Sequence, residues 1–341
     1  MNEKLHIEVI IPYFPQNNMS DYAIEQFDLA TNEIVEIFNT EIFDFEYLLP
    51  KSKLEFKKTG NYNVTEYYHF HFLKSWELYF KDECFIISLD TELDIKQYHN
   101  LRNFPVEDRA RYDSSTLKSF IAGHFQAIVY EIIFSANIAR PGCISVFEGG
   151  VFINNKKIED TYGFSHLLQA ACDTSLKIKY PEICFYDTKT IRQWIKDNGI
   201  SFFYSEKPNN KLSIAIYCLT YVCSFDLNSA ENLIYSMIAL EALYTKGNSN
   251  ITEQLNEKIQ IYLGPLNEYK KSIKNMYSLR SRFLHGDLPI KPIFFYNNTT
   301  DLDYEDEIYD ALLISTRILI RTVQKMIIEN RTELDFEFKL K

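Results

Sequence analysis

From about residue 208 onward the sequence stops alternating and becomes helical, and no other feature narrows the fold as much. Five segments follow one another: KLSIAIYCLTYVCSF (211–225), NSAENLIYSMIALEALYTKG (228–247), ITEQLNEKIQIYLG (251–264), LNEYKKSIKNMYSLRSRFLHG (266–286) and DEIYDALLISTRILIRTVQKMIIEN (306–330). Apolar residues recur in them every three to four positions, the period of one face of a helix. Gly247, Gly264 and Gly286 stand where a helix takes a left-handed residue after its last turn. Asn228, Ser229, Ala230 and Glu231 form a capping-box arrangement, and six acids from Asp301 to Asp310 suit the positive end of a helix dipole. Amphipathic helices in direct succession bury their apolar faces on one another, so residues 208–330 are expected to be a helical bundle.

The preceding residues mix two periods. LHIEVIIPYF (5–14), YYHFHFLKSWELYF (67–80) and CFIISLD (84–90) have the β-branched and aromatic character of strands, and KKTGNYN (57–63) reads as a turn. A long helix is predicted over 115–139, with Leu117, Phe120, Ile121, Ile128, Ile132 and Phe134 as apolar positions and Arg140-Pro141-Gly142 as its stop. ISVFEGGVFINNKKIED (144–160) predicts a hairpin or two short strands turned at Gly149 and Gly150. TKTIRQWIKDNG (188–199) is a short helix closed by its glycine, and SEKPNNK (205–211) is the best linker. The fold class expected is therefore α+β. It comprises a mixed N-terminal domain over 1–205, sensing, regulatory or target-selecting; the helical domain over 208–330; and a tail over 331–341.

A chain of 341 residues with 46% hydrophobic content has enough apolar surface for two such cores. Its longest uncharged run, Leu212–Phe225, has 14 residues, short of the roughly 20 that span a bilayer. The opening MNEKLHIEVIIPYF lacks a secretory pattern. No membrane association is expected, and cytoplasmic residence is. Cys84, Cys143, Cys172, Cys184, Cys218 and Cys223 contain no C-x-x-C pair and read as reduced core thiols.

The net charge of −11 argues against nonspecific coating of nucleic acid, which uses an excess of Lys and Arg. The charge is unevenly divided. Residues 200–341 hold 16 basic against 18 acidic side chains, a net of −2, which leaves −9 for residues 1–199. Between 258 and 286, Lys258, Lys270, Lys271, Lys274, Arg280 and Arg282 meet a single acid, Glu268. This is a local basic stripe.

The sequence contains no Gly-rich dinucleotide fingerprint, phosphate-binding P-loop, zinc-protease helix, nucleophile elbow or calcium loop. His69 and His71 would share one face of a strand, but no third ligand stands at a set spacing, so no metal and no cofactor are expected. His124, inside the long apolar helix, reads as a hydrogen-bonded structural histidine.

The remaining candidates lie at YSLRSRFLHGD (277–287). Arg280 and His285 have a spacing that arises readily by chance, and basic residues also suit a helix C-terminus. Yet Leu266, Tyr269, Ile273, Met276 and Tyr277 form an apolar stripe that Arg280 continues, so its guanidinium is expected to face a neighbouring helix and to need an anion. Glu241, a lone carboxylate in the apolar segment MIALEALYT, is the expected partner.

In that order, AENLIYSMIALEALYTKG, LNEKIQIYLG and YKKSIKNMYSLRSRFLHG resemble the HEPN superfamily, and most closely its Apea-like branch, over about residues 212–330. The family pattern of Arg, a polar residue and a His after four to six intervening positions falls on Arg280, Ser281 and His285, with Glu241 at the family's helix-centre acid. Lys258 stands in a helix where many Apea-like members carry an arginine. The resemblance implies a metal-independent endoribonuclease working as a homodimer whose two Arg-His pairs converge, in a toxin or anti-phage defence setting with an antitoxin or phage-derived trigger.

The chemistry is coherent: RNA supplies its own nucleophile in the 2′-OH, histidine exchanges protons near neutral pH, and arginine holds the phosphate oxygens. On that reading Arg280 and His285 are catalytic and Glu241 and Ser281 support them, while Lys270, Lys271, Lys274 and Arg282 hold RNA. The alternative is a silent HEPN-like module that binds RNA or nucleotide or only dimerises.

Overall fold

β1 (Glu3–Pro12) is the strand on which one half of the protein is built. Its Leu5, Ile7 and Val9 alternate inward and are 1% exposed or less, as expected of a strand with one face on a core. In the computed structural model the described residues are 3–13, 21–40, 53–59, 84–93, 113–146, 149–164, 167–202, 207–224, 230–247, 249–265, 270–287 and 302–336. They form an α+β protein with two compact units. One comprises Met1–Ala136, Cys143–Phe164 and Ser201–Ser205; the other comprises Asn137–Gly142, Ser165–Ile200 and Glu206–Lys341.

The first unit contains an antiparallel sheet in the order β2-β3-β1-β4-β5. Its further strands are β2 (Lys53–Thr59), β3 (Cys84–Leu93), β4 (Gly150–Ile153) and β5 (Lys156–Asp160), accompanied by α1 (Asp21–Thr40) and α2 (Ser114–Ala139). β1 pairs β3 along its whole length, from Glu3 opposite Leu93 to Pro12 opposite Cys84. Phe27 of α1 joins Tyr13 and Phe85 in a ring cluster with centroids 4.6–6.0 Å apart. Glu3 accepts hydrogen bonds from Ser114 and Lys118, which fixes the first turn of α2 to the sheet and holds the Glu3 carboxyl below its usual range.

Several expectations change here. KKTGNYN is not simply a turn, because Lys57, Lys58 and Thr59 end β2. The hairpin of 144–160 does not turn at its glycines. Asn154 and Asn155, at φ 47° and 67°, make the two-residue turn between β4 and β5, as such hairpins require. Gly149 instead lies so close to β1 that a Cβ there would stand 1.9 Å from the Ile10 carbonyl oxygen. α2 is long and apolar enough to cross a membrane by length and composition alone, as a buried core helix also can be, and 56% of its most apolar window is buried. Its Leu117, Ile121, Phe125, Val129 and Ile132 are buried in the core.

The second unit is helical: α3 (Leu167–Ile178), α4 (Thr188–Asp197), α5 (Lys211–Ser224), α6 (Ala230–Tyr244), α7 (Ile251–Leu263), α8 (Lys270–Leu284) and α9 (Leu302–Ile328). The central α9 buries a run of apolar residues from Ile308 to Ile327 and a row of polar ones. Ser236 of α6 donates to Ser315 at 2.9 Å, the Tyr244 hydroxyl meets Thr322 at 2.7 Å, and the Gln324 amide donates to the carbonyls of Ile138 and Cys184. Ser315, Thr322 and Gln324 thus each find a partner on a different segment, which fixes the rotation of α9. Trp194 of α4 donates to Asn330 at 3.0 Å. The N-terminal domain therefore does not run unbroken to 205 as expected: α3 and α4 belong with the helical unit. The tail begins inside it too, with Leu334 buried and Thr332 accepting from the Leu212 amide.

Candidate functional site

α8 is held by the buried side chains of Ile273, Met276 and Leu279, which fall on one face of the helix. Leu266 and Tyr269, predicted to extend that face, lie outside the described residues, as do Asn228 and Ser229 of the predicted capping box. The helix stops by a Schellman motif. The Gly286 amide, at φ 78°, donates to the Phe283 carbonyl, and the Asp287 amide donates to the Arg282 carbonyl. His285 is thus the last residue before the left-handed glycine, and its side chain is exposed.

Arg280 points the other way. Its Nη2 lies 3.6 Å from Oε2 of Glu241 on α6, with the two side chains 23% and 19% exposed, so the pair expected of a lone carboxylate in an apolar helix and an arginine that continues an apolar stripe is formed. The guanidinium also sits 5.8 Å from the centroid of the Tyr277 ring. Glu241 Oε1 and Arg280 Nε are buried without a hydrogen-bond partner among the described residues, so the pair retains one acceptor and one donor. Burial pushes the Glu241 carboxyl above its ordinary value, and the charge of Arg280 opposes that rise.

Residues advance by 100° on a helix, so Arg280 and His285 are about 140° apart around α8. His285 instead shares the exposed side of the helix with Lys271, Lys274 and Arg282. Ser281 is half-buried, and its carbonyl accepts the His285 amide at 3.0 Å. Its hydroxyl makes no hydrogen bond among the described residues. The side chain of Lys270 lies outside the described residues.

Lys258 leaves the basic stripe. It is 4% exposed, donates to Gln254 Oε1 at 2.7 Å and stands 5.5 Å from the Phe336 ring. Burial, with the neighbouring charges of Lys246 and Lys211, lowers its pKa. Counting charges along the chain assigned it to a surface because the count ignores helical phase.

Two buried charged residues are not singled out by the sequence, Arg192 on α4 and Arg317 on α9. Arg317, in the apolar run ALLISTRILIRTV of α9, is 4% exposed and lines a cavity of about 470 Å³ bounded by α3, α8 and α9. Arg282 lines the same cavity and pairs with Glu307 at 3.7 Å across its rim. The signal was the one that exposed Glu241, a lone charge in an apolar helix.

His69 and His71 lie outside the described residues, and among the described residues no group of three His, Cys, Asp or Glu could hold a metal ion. The six cysteines are free thiols, five of them buried. Compared with protein-family models, curated proteins and solved structures, the chain matches none.

Proposed function

We propose that the helical unit is an Apea-like HEPN domain acting as a metal-independent endoribonuclease, with a toxin or phage-defence role in the cytoplasm and the sheet-bearing unit as its sensor or target selector. One observation carries the reading: an exposed imidazole, His285, ends a helix whose solvent face holds Lys271, Lys274 and Arg282. That face can hold a phosphate backbone against a group able to exchange a proton.

His285 takes the proton of the 2′-OH, or returns one to the leaving 5′-oxygen. Arg280, held through Glu241, is the cation that meets the negative charge developing on the phosphate. Within one copy the two side chains diverge by about 140°, so the reaction calls for two copies. The α8 ends face each other, and the arginine of one serves the histidine of the other.

A second reading has its own support. Arg280 is already engaged by Glu241, which suits a bundle that binds RNA or dimerises without cutting.

The test is purified full chain on a mixed RNA pool in EDTA. The proposal expects cleavage to 2′,3′-cyclic phosphate ends, no cleavage of DNA, and loss of cleavage in His285→Ala. A requirement for divalent metal, or full activity of His285→Ala, contradicts it.

A further inference from the structure

Lys258 is a buried cation that the proposed cleavage does not use. It is 4% exposed, and its amine donates to Gln254 Oε1 at 2.7 Å while meeting no carboxylate in an ion pair among the described residues. That acceptor is neutral and shared, since it also takes the Lys246 amide at 3.0 Å. A buried ammonium is costly without a counter-charge. The groups around it add to the cost: burial lowers its pKa, and the charges of Lys246 and Lys211 lower it further, opposed by Glu257 on the exposed side of α7. Three ammonium groups of the helical unit thus lie within electrostatic reach of one another, carried by α7, the chain after α6 and the first turn of α5.

Gln254 builds the arrangement. Its Nε2 donates to the carbonyls of Lys246 and Ser249 at 3.1 and 2.9 Å, which ties the chain after α6 to α7 and keeps Lys246 beside Lys258. The Phe336 ring, 5.5 Å from the Lys258 amine, packs on it as well. Of the outer two lysines, Lys211 is half-buried, and its amine makes no hydrogen bond or ion pair among the described residues. Lys246 lies 3.1 Å from Asp335, with the two side chains 61% and 79% exposed. A pair so exposed is weakly held, so Asp335 can yield its place to a stronger anion.

These groups select the ligand. Lysines are point charges with rotatable donors and lack the planar fork of arginine, so they suit a compact anion met from several sides better than a flat carboxylate. Phosphate offers strong acceptor oxygens on every side and up to two charges. An amine only 4% exposed admits a small anion and not a polymer backbone. We infer that Lys258, Lys246 and Lys211 form a binding site for a small phosphate dianion, which takes Lys246 over from Asp335 and supplies the buried ammonium with its counter-charge. The site shares no residue with Arg280 and His285 and does not depend on RNA cleavage. Free phosphate and a small phosphomonoester present the same chemistry.

The test is isothermal titration calorimetry of the full chain with inorganic phosphate and with glycerol 3-phosphate, at constant ionic strength. Saturable binding of phosphate at millimolar concentration or below is expected. Lys258→Met, which keeps the bulk of the side chain and removes its charge, weakens that binding at least about tenfold, the worth of one charge-assisted hydrogen bond. Asp335→Asn, at an exposed position, tightens it about two- to fivefold because the competing ion pair is gone. A Lys258 that only packs the helix gives no such gain. Thermal melts show that the variants fold, and Lys211→Met, which also weakens binding, takes the place of Lys258→Met should that chain not fold. Equal affinity for glycerol 3-phosphate assigns the source to a small phosphorylated molecule, and affinity for inorganic phosphate alone assigns it to the free ion; either supports the site. No saturable binding at millimolar phosphate, wild-type affinity in the lysine variant, or an Asp335→Asn protein that binds no tighter than wild type overturns it.

Discussion

The two sides of α8 treat one sequence motif in opposite ways. On the inner side Arg280 gives up solvent for Glu241 and the Tyr277 ring; on the outer side His285 ends the helix in water beside lysines and Arg282. Five positions of sequence separate them, but a period of 3.6 residues turns those positions into divergence. A spacing that looks like a catalytic pair on paper is, in one copy, an anchored cation and a free imidazole.

The largest effect that can break this contrast is on activity. His285→Ala should lose RNA cleavage by about 10²–10⁴-fold, the worth of general acid–base catalysis, with an unchanged melting temperature because the side chain is exposed. Arg280→Ala should lose cleavage too, but with a lowered melting temperature, since it leaves Glu241 half-buried and unpaired. Identical melts for the two variants would erase the difference between the two sides.

Next comes the pair itself. Glu241→Ala should cost about 2–3 kcal/mol in denaturant unfolding, below the 3–5 typical of a fully buried pair because both side chains keep some exposure. Activity should fall with it, and Glu241→Gln should recover most of the stability. A fully stable, fully active Glu241→Ala protein would make the contact incidental.

A smaller effect separates the lysines. RNA binding by Lys274→Ala should lose close to one charge in its salt dependence, whereas Lys258→Met should leave that slope unchanged because the amine is buried on Gln254 and Phe336. Equal slopes for the two variants would return Lys258 to the surface stripe.

The smallest effect contrasts His285 with His6. His6 Nδ1 lies 2.6 Å from Asp90 and its Nε2 lies 3.4 Å from Glu8. Burial lowers its pKa, but the two carboxylates outweigh that, so the net shift is upward. A raised folded pKa means that the contribution is complete below the unfolded value, near 6.5, and is lost as pH rises through the folded one. The amplitude should be a few tenths of a kcal/mol, because the groups are substantially exposed. Unfolding measured from pH 5 to 9 should show the decline in wild type and not in His6→Gln; the same decline in both would remove the assignment.

What was legible in the sequence was whatever local chemistry determines. α2 was readable from its apolar run and its Arg-Pro-Gly stop, and the segments after 208 from their period and glycine caps. The Arg280–Glu241 contact was readable because a lone carboxylate in an apolar helix and an arginine on the apolar stripe of another need each other. α1 was equally periodic, with Phe27, Ala30, Ile34 and Ile37 buried, but acids interleaved along its polar side hid the stripe. The hairpin was misplaced because Gly149 and Gly150 serve close strand approach, and the Asn154–Asn155 turn lies elsewhere. That α3 and α4 join the helical unit depends on contacts such as Trp194 to Asn330, and no local pattern encodes a contact 136 residues away.

The central claim is that α8 makes a reactive site only across two copies. The direct measurement uses two differently tagged chains, Arg280→Ala and His285→Ala, co-expressed and purified through both tags so that every dimer carries one of each. RNA cleavage in EDTA should reappear in the mixed dimer while both parent homodimers stay silent, because the mixed dimer retains one arginine and one histidine in a shared cleft. A mixed dimer as inactive as its parents, beside an active wild type, would contradict the account.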